Sequence, residues 1–386
     1  MFNFTYYNPV RIVFGKDRLS ELNALVPRDA RVLVLYGGGS AKKLGVLEKV
    51  MSNLGERKIF EFGGIEPNPQ YTTLIKALDL VKKEQIDFLL AVGGGSVMDG
   101  TKFVALAAAY QGDNPADILT KRDVQKQLKK ALPLGTVVTI PATGSEMNST
   151  FVISYNQGKT AVATPLVYPK FSFLDPTLTF TLPAQQVANG VVDIFVHTTE
   201  QYLTYPVEGR FQDRTAEGIL KTLLEIGRKT IDEPTDYDAR ANMMWCATIA
   251  QNGLLSAGVP QDWTAHMIGH ELTAMFGIDH GKTLAVLAPA VWAVLKEQKR
   301  AKLLQFAERV WDITEGDEEA RIDAAINKTR AFFESLGMKT RLTDLGVGAG
   351  SIDALIDALD KHGMKKLSET KSVTLDVSRK ILEVAL

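Results

Sequence analysis

Hydrophobic positions divide the chain into two kinds of text. Through about residue 180, short apolar and β-branched runs alternate with stretches whose apolar residues recur every three or four positions. RVLVLY (31–36), KIFEF (58–62), DFLLAV (87–92), TVVTI (136–140) and FSFLD (171–175) read as strands, and 41–54, 71–84 and 96–110 as helices. This βαβ rhythm, with strands apolar on both faces, predicts a parallel sheet covered by helices. Such sheets bind ligands beyond the carboxyl ends of their strands.

After Pro183 strand-like runs disappear, and helical patterns follow one another over 185–204, 208–230, 238–257, 264–275, 283–296, 300–314 and 318–336. The expected fold class is therefore α/β plus all-α, with an α/β domain over 1–180 and an all-helical domain over 181–386. Pro176 and Pro183 flank the boundary as a stiff hinge, and a cleft between two domains is a common place for a site. The longest apolar run, Leu284 to Leu295, contains Pro289 and is well short of the roughly 20 residues that span a bilayer, so it reads as a buried helix and no membrane partner is expected.

Composition narrows the function classes. With 45% hydrophobic residues and 44 Lys and Arg against 45 Asp and Glu, the 386 residues are those of a globular protein, enough for two or three domains. The basic runs at 121–130 and 299–302 are interspersed with other residues, as on solvated helix faces, so no nucleic-acid partner is expected. The single Cys246 allows no intramolecular disulfide, and the start MFNFTYYNPV lacks the basic and apolar regions of a secretory signal; the expected compartment is the cytoplasm.

Three glycine-rich turns follow predicted strands. Gly37, Gly38, Gly39 and Ser40 follow the first; Gly93, Gly94, Gly95 and Ser96 follow DFLLAV, with Asp99 in the next helical turn; and PATGSE carries Thr143, Gly144 and Ser145 after Thr139. One such turn is often no more than a tight connection. Three on successive strand ends of one sheet point to a nucleotide, whose phosphates the free backbone amides can cradle. The GxGxxG fingerprint is absent, because its third glycine position holds Lys42 in the first turn and Met98 in the second. Glu61, at roughly the 20-residue offset of a ribose-binding acid, argues for NAD. Ser40, Lys42 and Lys43 argue for a 2′-phosphate, and on that constellation NADP(H) is the expected cofactor.

The second half holds a histidine cluster. Of 5 histidines, four lie between 197 and 280. Asp193 and His197 are four apart, as are His266 and His270, so each pair shares one helix face, and His280 follows in DHGKT, where Gly281 suggests a helix break. A lone histidine is more often a hydrogen-bonded core residue. One carboxylate with two or three imidazoles on facing helices is the donor set of one divalent metal, Fe²⁺ or Zn²⁺. Spacing does not say which imidazoles ligate and which stands off as an acid or base. His362, in DALDKHGMKK, is expected near a helix C-terminus without a role.

The segments FLDPTLTFTLPAQQVANGVVDIFVHTTE (173–200) and WTAHMIGHELTAMFGIDHGKT (263–283) resemble the two signature regions of the group III, iron-containing alcohol dehydrogenases. The glycine turns match as well, so the resemblance covers essentially the whole chain, and YGGGSAKK, FGGIEPNP and GVPQDW are most similar to the NADP-dependent aldehyde reductase and butanol dehydrogenase branch. The resemblance implies an N-terminal Rossmann-like domain, a C-terminal helical domain, an active site in the cleft between them, and a homodimer. It assigns the metal to Asp193, His197, His266 and His280 and leaves His270 close to substrate and nicotinamide without ligating, which makes His270 the candidate catalytic residue as a proton relay. Cofactor contacts carry over to Gly38, Gly39, Ser40, Gly94, Gly95, Ser96, Asp99, Thr139, Thr143, Ser145 and Lys159. PATGSE departs from the threonine-rich PTTAGTGSE of many members.

These parts imply a metal-dependent NADP(H) alcohol dehydrogenase or aldehyde reductase, moving hydride between nicotinamide and a short to medium chain aldehyde or primary alcohol such as butanal and butanol. Met243, Met244, Trp245, Trp263, Met275 and Phe276 suggest an apolar lining, and Cys246 a core residue, not a nucleophile. Two alternatives stay open: a dehydroquinate-synthase-like metal- and NAD-dependent lyase, which needs a densely basic pocket, and a non-catalytic nucleotide or metal sensor, which binds without turnover.

Overall fold

The computed structural model describes all 386 residues, in two compact units: Tyr7–Thr181, and Leu182–Leu386 together with Met1–Tyr6. In the first unit β1 (Arg11–Phe14), β2 (Arg31–Tyr36), β3 (Lys58–Phe62), β4 (Phe88–Gly93), β5 (Leu134–Val138) and β8 (Phe171–Leu174) form one parallel sheet in the order β1-β8-β5-β4-β2-β3. Every residue of β4 and β5 is buried, as a central strand covered on both faces requires, whereas edge strand β3 is partly exposed. The chain runs from β2 outward to β3 and returns on the other side of β2 as β4. The sheet therefore reverses direction between β2 and β4, and the first two glycine turns leave the carboxyl ends of these two strands.

Three features of this unit differ from the sequence expectation. The helix expected over 41–54 is two, Ser40–Lys43 and Val46–Asn53, because Gly45 takes φ +72° and breaks the run. A short edge strand, β1, is added. So is an antiparallel hairpin of β6 (Thr150–Tyr155) and β7 (Gly158–Ala163), turned by Asn156 and Gln157, both at positive φ as a two-residue hairpin loop demands.

The second unit is built on the helices Ala184–Tyr202, Arg210–Ile226, Tyr237–Gln251, Thr264–Phe276, His280–Val294, Lys296–Arg309, Glu318–Ser335, Ile352–Lys361 and Leu375–Val384, the last beyond the sequence expectation and the one before it expected only as a helix end near His362. His280–Val294 is the apolar run containing Pro289, and it is central: it packs against Ala184–Tyr202, Thr264–Phe276, Glu318–Ser335 and Leu375–Val384. Its Trp292 joins a buried aromatic cluster with Phe306, Phe195 and Phe333. Residues 366–367 pair with 373–374 as a minimal two-stranded element in a region where no strand was expected. The first six residues, expected with the α/β part, join the helical unit instead, where Phe2 N donates to Gly258 O at 2.9 Å. No helix is long and apolar enough to cross a membrane.

Candidate metal centre and cofactor cradle

The helix Ala184–Tyr202 is buried almost all round, so each polar side chain on its inner face needs a partner. Asp193, His197 and Glu200 are spaced i, i+4 and i+7 on one face. His266 and His270 come from Thr264–Phe276, and His280 is the first residue of His280–Val294. The helix break lies not at Gly281 but at Gly277, which ends Thr264–Phe276 at φ +67°. Gly281 has another task. A Cβ there would lie 2.7 Å from the Asn189 backbone, so only glycine lets the start of this helix approach Ala184–Tyr202 closely enough to bring His280 to Asp193.

Three imidazole Nε2 atoms surround Asp193 Oδ1, that of His197 at 3.5 Å, His266 at 3.7 Å and His280 at 3.8 Å. These separations are long for hydrogen bonds. They suit donors that share an ion, since two ligands about 2.1 Å from a tetrahedral cation lie about 3.4 Å apart. Asp193 Oδ1 and His266 Nε2 are buried without a hydrogen bond, and the donor atoms of Asp193, His266 and His280 lie within 4.8 Å of one another. The donor set therefore fits a divalent metal.

Electrostatics agree. Burial alone would raise the Asp193 carboxyl, but His197, His266 and His280 outweigh it and hold the group well below the usual carboxylate range. For His266, burial works against the charged form, yet Glu200 and Asp193 together push its pKa up to about 9, so the space between these donors attracts positive charge. Glu200 faces His266 Nδ1 with one oxygen and accepts from Ala265 N at 2.7 Å with the other. With a hydrogen on Nδ1 shared with Glu200, Nε2 would be free to give its lone pair to a cation beside Asp193, the pattern of a carboxylate–histidine–metal arrangement. Sequence reasoning missed Glu200, although its place seven residues after Asp193 was a usable signal.

His270 is buried, its ring centroid 5.4 Å from that of His280. His362 follows the helix Ile352–Lys361, as expected, with Nδ1 2.8 Å from Glu271 Oε1. The proposed apolar lining divides. Met243 and Met244 are core residues, Trp245, Met275 and Phe276 are exposed, and Trp263 lies against the imidazoles of His197 and His266. Burial pushes the Cys246 thiol up to about 12, which leaves it no nucleophile.

In the α/β unit the second glycine turn is narrow. A Cβ on Gly94 would meet Ile140 at 3.0 Å, and one on Gly95 would meet the Thr143 side chain at 2.5 Å. Gly94 caps the fifteen-residue helix Gly95–Ala109, on which Ser96 and Asp99 lie, and Thr139 N donates to Gly93 O at 3.0 Å. Both Asp99 oxygens serve the protein, Oδ1 accepting from Ser145 Oγ at 2.6 Å and Oδ2 from Val152 N at 2.9 Å. Behind them the buried Lys102 donates to Asn148 O, Asn148 Oδ1 and Thr150 O, and burial lowers its pKa to about 8. Asn68, not singled out from sequence, is a hub: its N donates to Ser96 Oγ, its Oδ1 accepts from Lys159 Nζ at 2.9 Å, and its O accepts from Ser154 Oγ. In the first turn Gly39 takes φ +105°, whereas Gly38 has nothing within 4 Å of a built Cβ. Lys42 Nζ and Tyr36 Oη lie 3.6 and 3.3 Å from Glu61 Oε2. The acid and the cation that argued for opposite cofactors are thus partners in one ion pair.

Residues 9–176 match the family described as iron-containing alcohol dehydrogenase, and 187–378 match its C-terminal family. The chain belongs to the iron-containing alcohol dehydrogenases. It is 56% identical over 388 residues, all of both chains, to the NADPH-dependent aldehyde reductase YqhD of Escherichia coli strain K12, and 38% identical, over 92% of each chain, to NADH-dependent butanol dehydrogenase B of Clostridium acetobutylicum. Among solved structures, the substrate- and cofactor-free aldehyde reductase YqhD from E. coli superposes with a TM-score of 0.94 at 55% identity over 100% of both chains. NADH-dependent butanol dehydrogenase A of Thermotoga maritima does so with 0.94 at 35% identity, over 100% of this chain and 99% of that one. The fold is thus the family's N-terminal Rossmann-like and C-terminal helical pair, and the protein is an oxidoreductase of this family. Membership removes the ground for the lyase alternative.

Proposed function

We propose that the protein is an NADPH-dependent aldehyde reductase whose metal is held by Asp193, His197, His266 and His280. The observation that carries this is the convergence of three imidazole nitrogens on the buried, hydrogen-bond-free Asp193 Oδ1. The family name favours Fe²⁺, and Zn²⁺ suits the same donors. A divalent ion supplies Lewis acidity toward a carbonyl oxygen, and NADPH supplies hydride. Glu200 orients His266 through Nδ1. His270, one helical turn beyond His266, holds the proton exchanged at the substrate oxygen.

For the cofactor, the turn at Gly38–Ser40 and the start of Gly95–Ala109 offer backbone amides to phosphates, and Asn68 steadies Lys159 and Ser96. Its relatives include both NADPH and NADH enzymes, so preference rests on local residues. The absence of a carboxylate at Gly38 and the cations Lys42 and Lys43 support NADPH. Substrates are short to medium chain aldehydes such as butanal. Half-exposed Phe2 and Phe4 at the start of the chain support a homodimer, and a single cysteine supports a cytoplasmic protein.

The test is absorbance at the nicotinamide band, with protein purified without chelator and reconstituted separately with Fe²⁺ and Zn²⁺. NADPH oxidation that requires both butanal and metal supports the reading. Binding of NADPH with no turnover in any reconstituted form would replace it with the sensor alternative.

A further inference from the structure

The basic run 299–302, expected on a solvated helix face, is not solvated throughout: Lys299 and Lys302 are both buried. Lys299, in the first turn of Lys296–Arg309, is fully enclosed, and its ammonium finds an oxygen partner for each of its hydrogens. Nζ donates to Leu203 O at 2.6 Å, lies 2.9 Å from Asp262 Oδ2 and reaches Glu369 Oε1 at 3.3 Å. Both carboxylates are themselves almost wholly buried.

These partners belong to the two helices that build the candidate metal centre. Leu203 is the C-cap of Ala184–Tyr202, the helix of Asp193, His197 and Glu200. Asp262 stands just before Thr264–Phe276, the helix of His266. The N-cap of that helix, Trp263, makes no side-chain capping bond, so its first amides need acceptors from elsewhere. Asp262 Oδ1 accepts from Thr264 N at 3.1 Å, and Glu200 Oε1 accepts from Ala265 N at 2.7 Å. Asp262 N in turn donates to Glu200 O at 2.9 Å. The start of the His266 helix is thus seated on two carboxylates, Glu200, which also faces His266 Nδ1, and Asp262, whose other oxygen is held by Lys299.

Stability alone does not account for the lysine. Burying an ammonium with carboxylates costs desolvation energy that their attraction barely offsets, and apolar groups of the same volume often serve a core as well. The best-attested use of such a buried pair is to fix one register between elements. We propose that Lys299 is a positioning residue of the metal centre. By tying Leu203 O to Asp262 it holds the end of one donor-bearing helix against the start of the other, and so keeps His266 within reach of a cation shared with Asp193 and His197. It bonds to none of the donors itself. This inference rests on the metal-centre reading, and its test separates the two.

Lys299→Met, which keeps the length of the side chain without its charge, and Asp262→Asn, which keeps an acceptor for Thr264 N, are compared with wild type. Lys302→Met is the control, since Lys302 is a buried lysine of the same helix that pairs with Asp213 and lies over the Tyr202 ring, with no bond to 262–266. Each protein is measured for Tm, for Zn²⁺ affinity by competition with a chromophoric chelator, and for the visible bands of bound Co²⁺, which report the geometry of its donors. In Lys299→Met affinity should fall about tenfold or more and the Co²⁺ bands should move, with a smaller change of the same kind in Asp262→Asn. Lys302→Met should lose Tm but keep its affinity within about twofold and its Co²⁺ bands unmoved. Should Lys299→Met fail to fold, Asp262→Asn decides by the same readings. Wild-type affinity and bands in the folded variants overturn the positioning role and leave the metal centre standing. An equal loss of metal in Lys302→Met also overturns it, because any buried lysine would then do the same. A wild type that binds neither ion overturns the metal-centre reading, and the positioning role with it.

Discussion

The two candidate sites are made of different material. The candidate metal centre is a set of side chains on helices, buried except for the partly exposed His280, each held in register by a neighbour: Asp193 by its place one turn before His197, His266 by Glu200, His280 by the close approach at Gly281. The cofactor cradle is mostly backbone. In its second turn Gly94 and Gly95 stand where a Cβ would meet Ile140 and Thr143, and its charged side chains, Asp99 and Lys102, fasten the cradle to itself. A site of side chains should fail in whole steps when one member is removed, whereas a site of backbone should change its preference by degrees.

The sharpest break is His266→Ala. It deletes a donor and leaves Glu200 buried without its partner, so bound metal and nearly all turnover should disappear, and stability should fall by about 3 kcal/mol, as when one member of a buried pair is lost. NADPH binding should survive, because its proposed residues lie in Tyr7–Thr181. Elemental analysis, thermal denaturation and nucleotide titration measure the three effects, and full metal content would remove His266 from the donor set.

His270→Ala should separate chemistry from metal binding. Metal should stay while kcat falls by about 10²–10⁴-fold, the range of a lost proton-transfer group. An unchanged pH–rate profile would leave His270 a packing role beside His280.

Glu200→Gln is milder. Glutamine can still accept from Ala265 N but supplies no carboxylate to His266 Nδ1, so metal affinity should fall about 10–100-fold with the fold intact. Competition with a chromophoric chelator gives the affinity, and a value equal to wild type would make Glu200 a helix cap only.

The same contrast explains what the sequence revealed. A cluster around Asp193 was legible because metal chemistry demands particular side chains and helical geometry pairs Asp193 with His197 and His266 with His270, but spacing left the choice among His266, His270 and His280 open and the family resemblance made it. Glu200 was not legible, since its role depends on a contact between helices. In the α/β unit the central strands were legible from their unbroken apolar runs. β1, an edge strand with only Val13 buried, was missed where the equally short but fully buried β8 was not, and the β6–β7 hairpin was hidden by a turn in which Gln157, not glycine, takes the second positive φ. With the hairpin unseen, Asn68 could not be recognised as the hub that ties Lys159 to Ser96.

The smallest expected effect tests the backbone-built site. Family resemblance associates NAD use with Asp at the position of Gly38, where a carboxylate accepts from the ribose 2′-hydroxyl and repels a 2′-phosphate. Gly38 is not left-handed and a Cβ there meets nothing within 4 Å, so Gly38→Asp adds charge without straining the turn; the conformational demand falls on Gly39, at φ +105°. Wild type should show kcat/KM for NADPH at least about tenfold above NADH, equivalent to roughly 1.4 kcal/mol, and Gly38→Asp should shrink or invert that ratio. Glu61→Gln is the necessary companion, because it frees Lys42 from its ion pair and should raise the NADPH preference modestly if the cation meets the phosphate. Steady-state kinetics with both cofactors at fixed butanal reads all three proteins. Equal or better use of NADH by wild type would shift selection from the Gly38 turn to Glu61, and the cradle would then depend on a side chain after all.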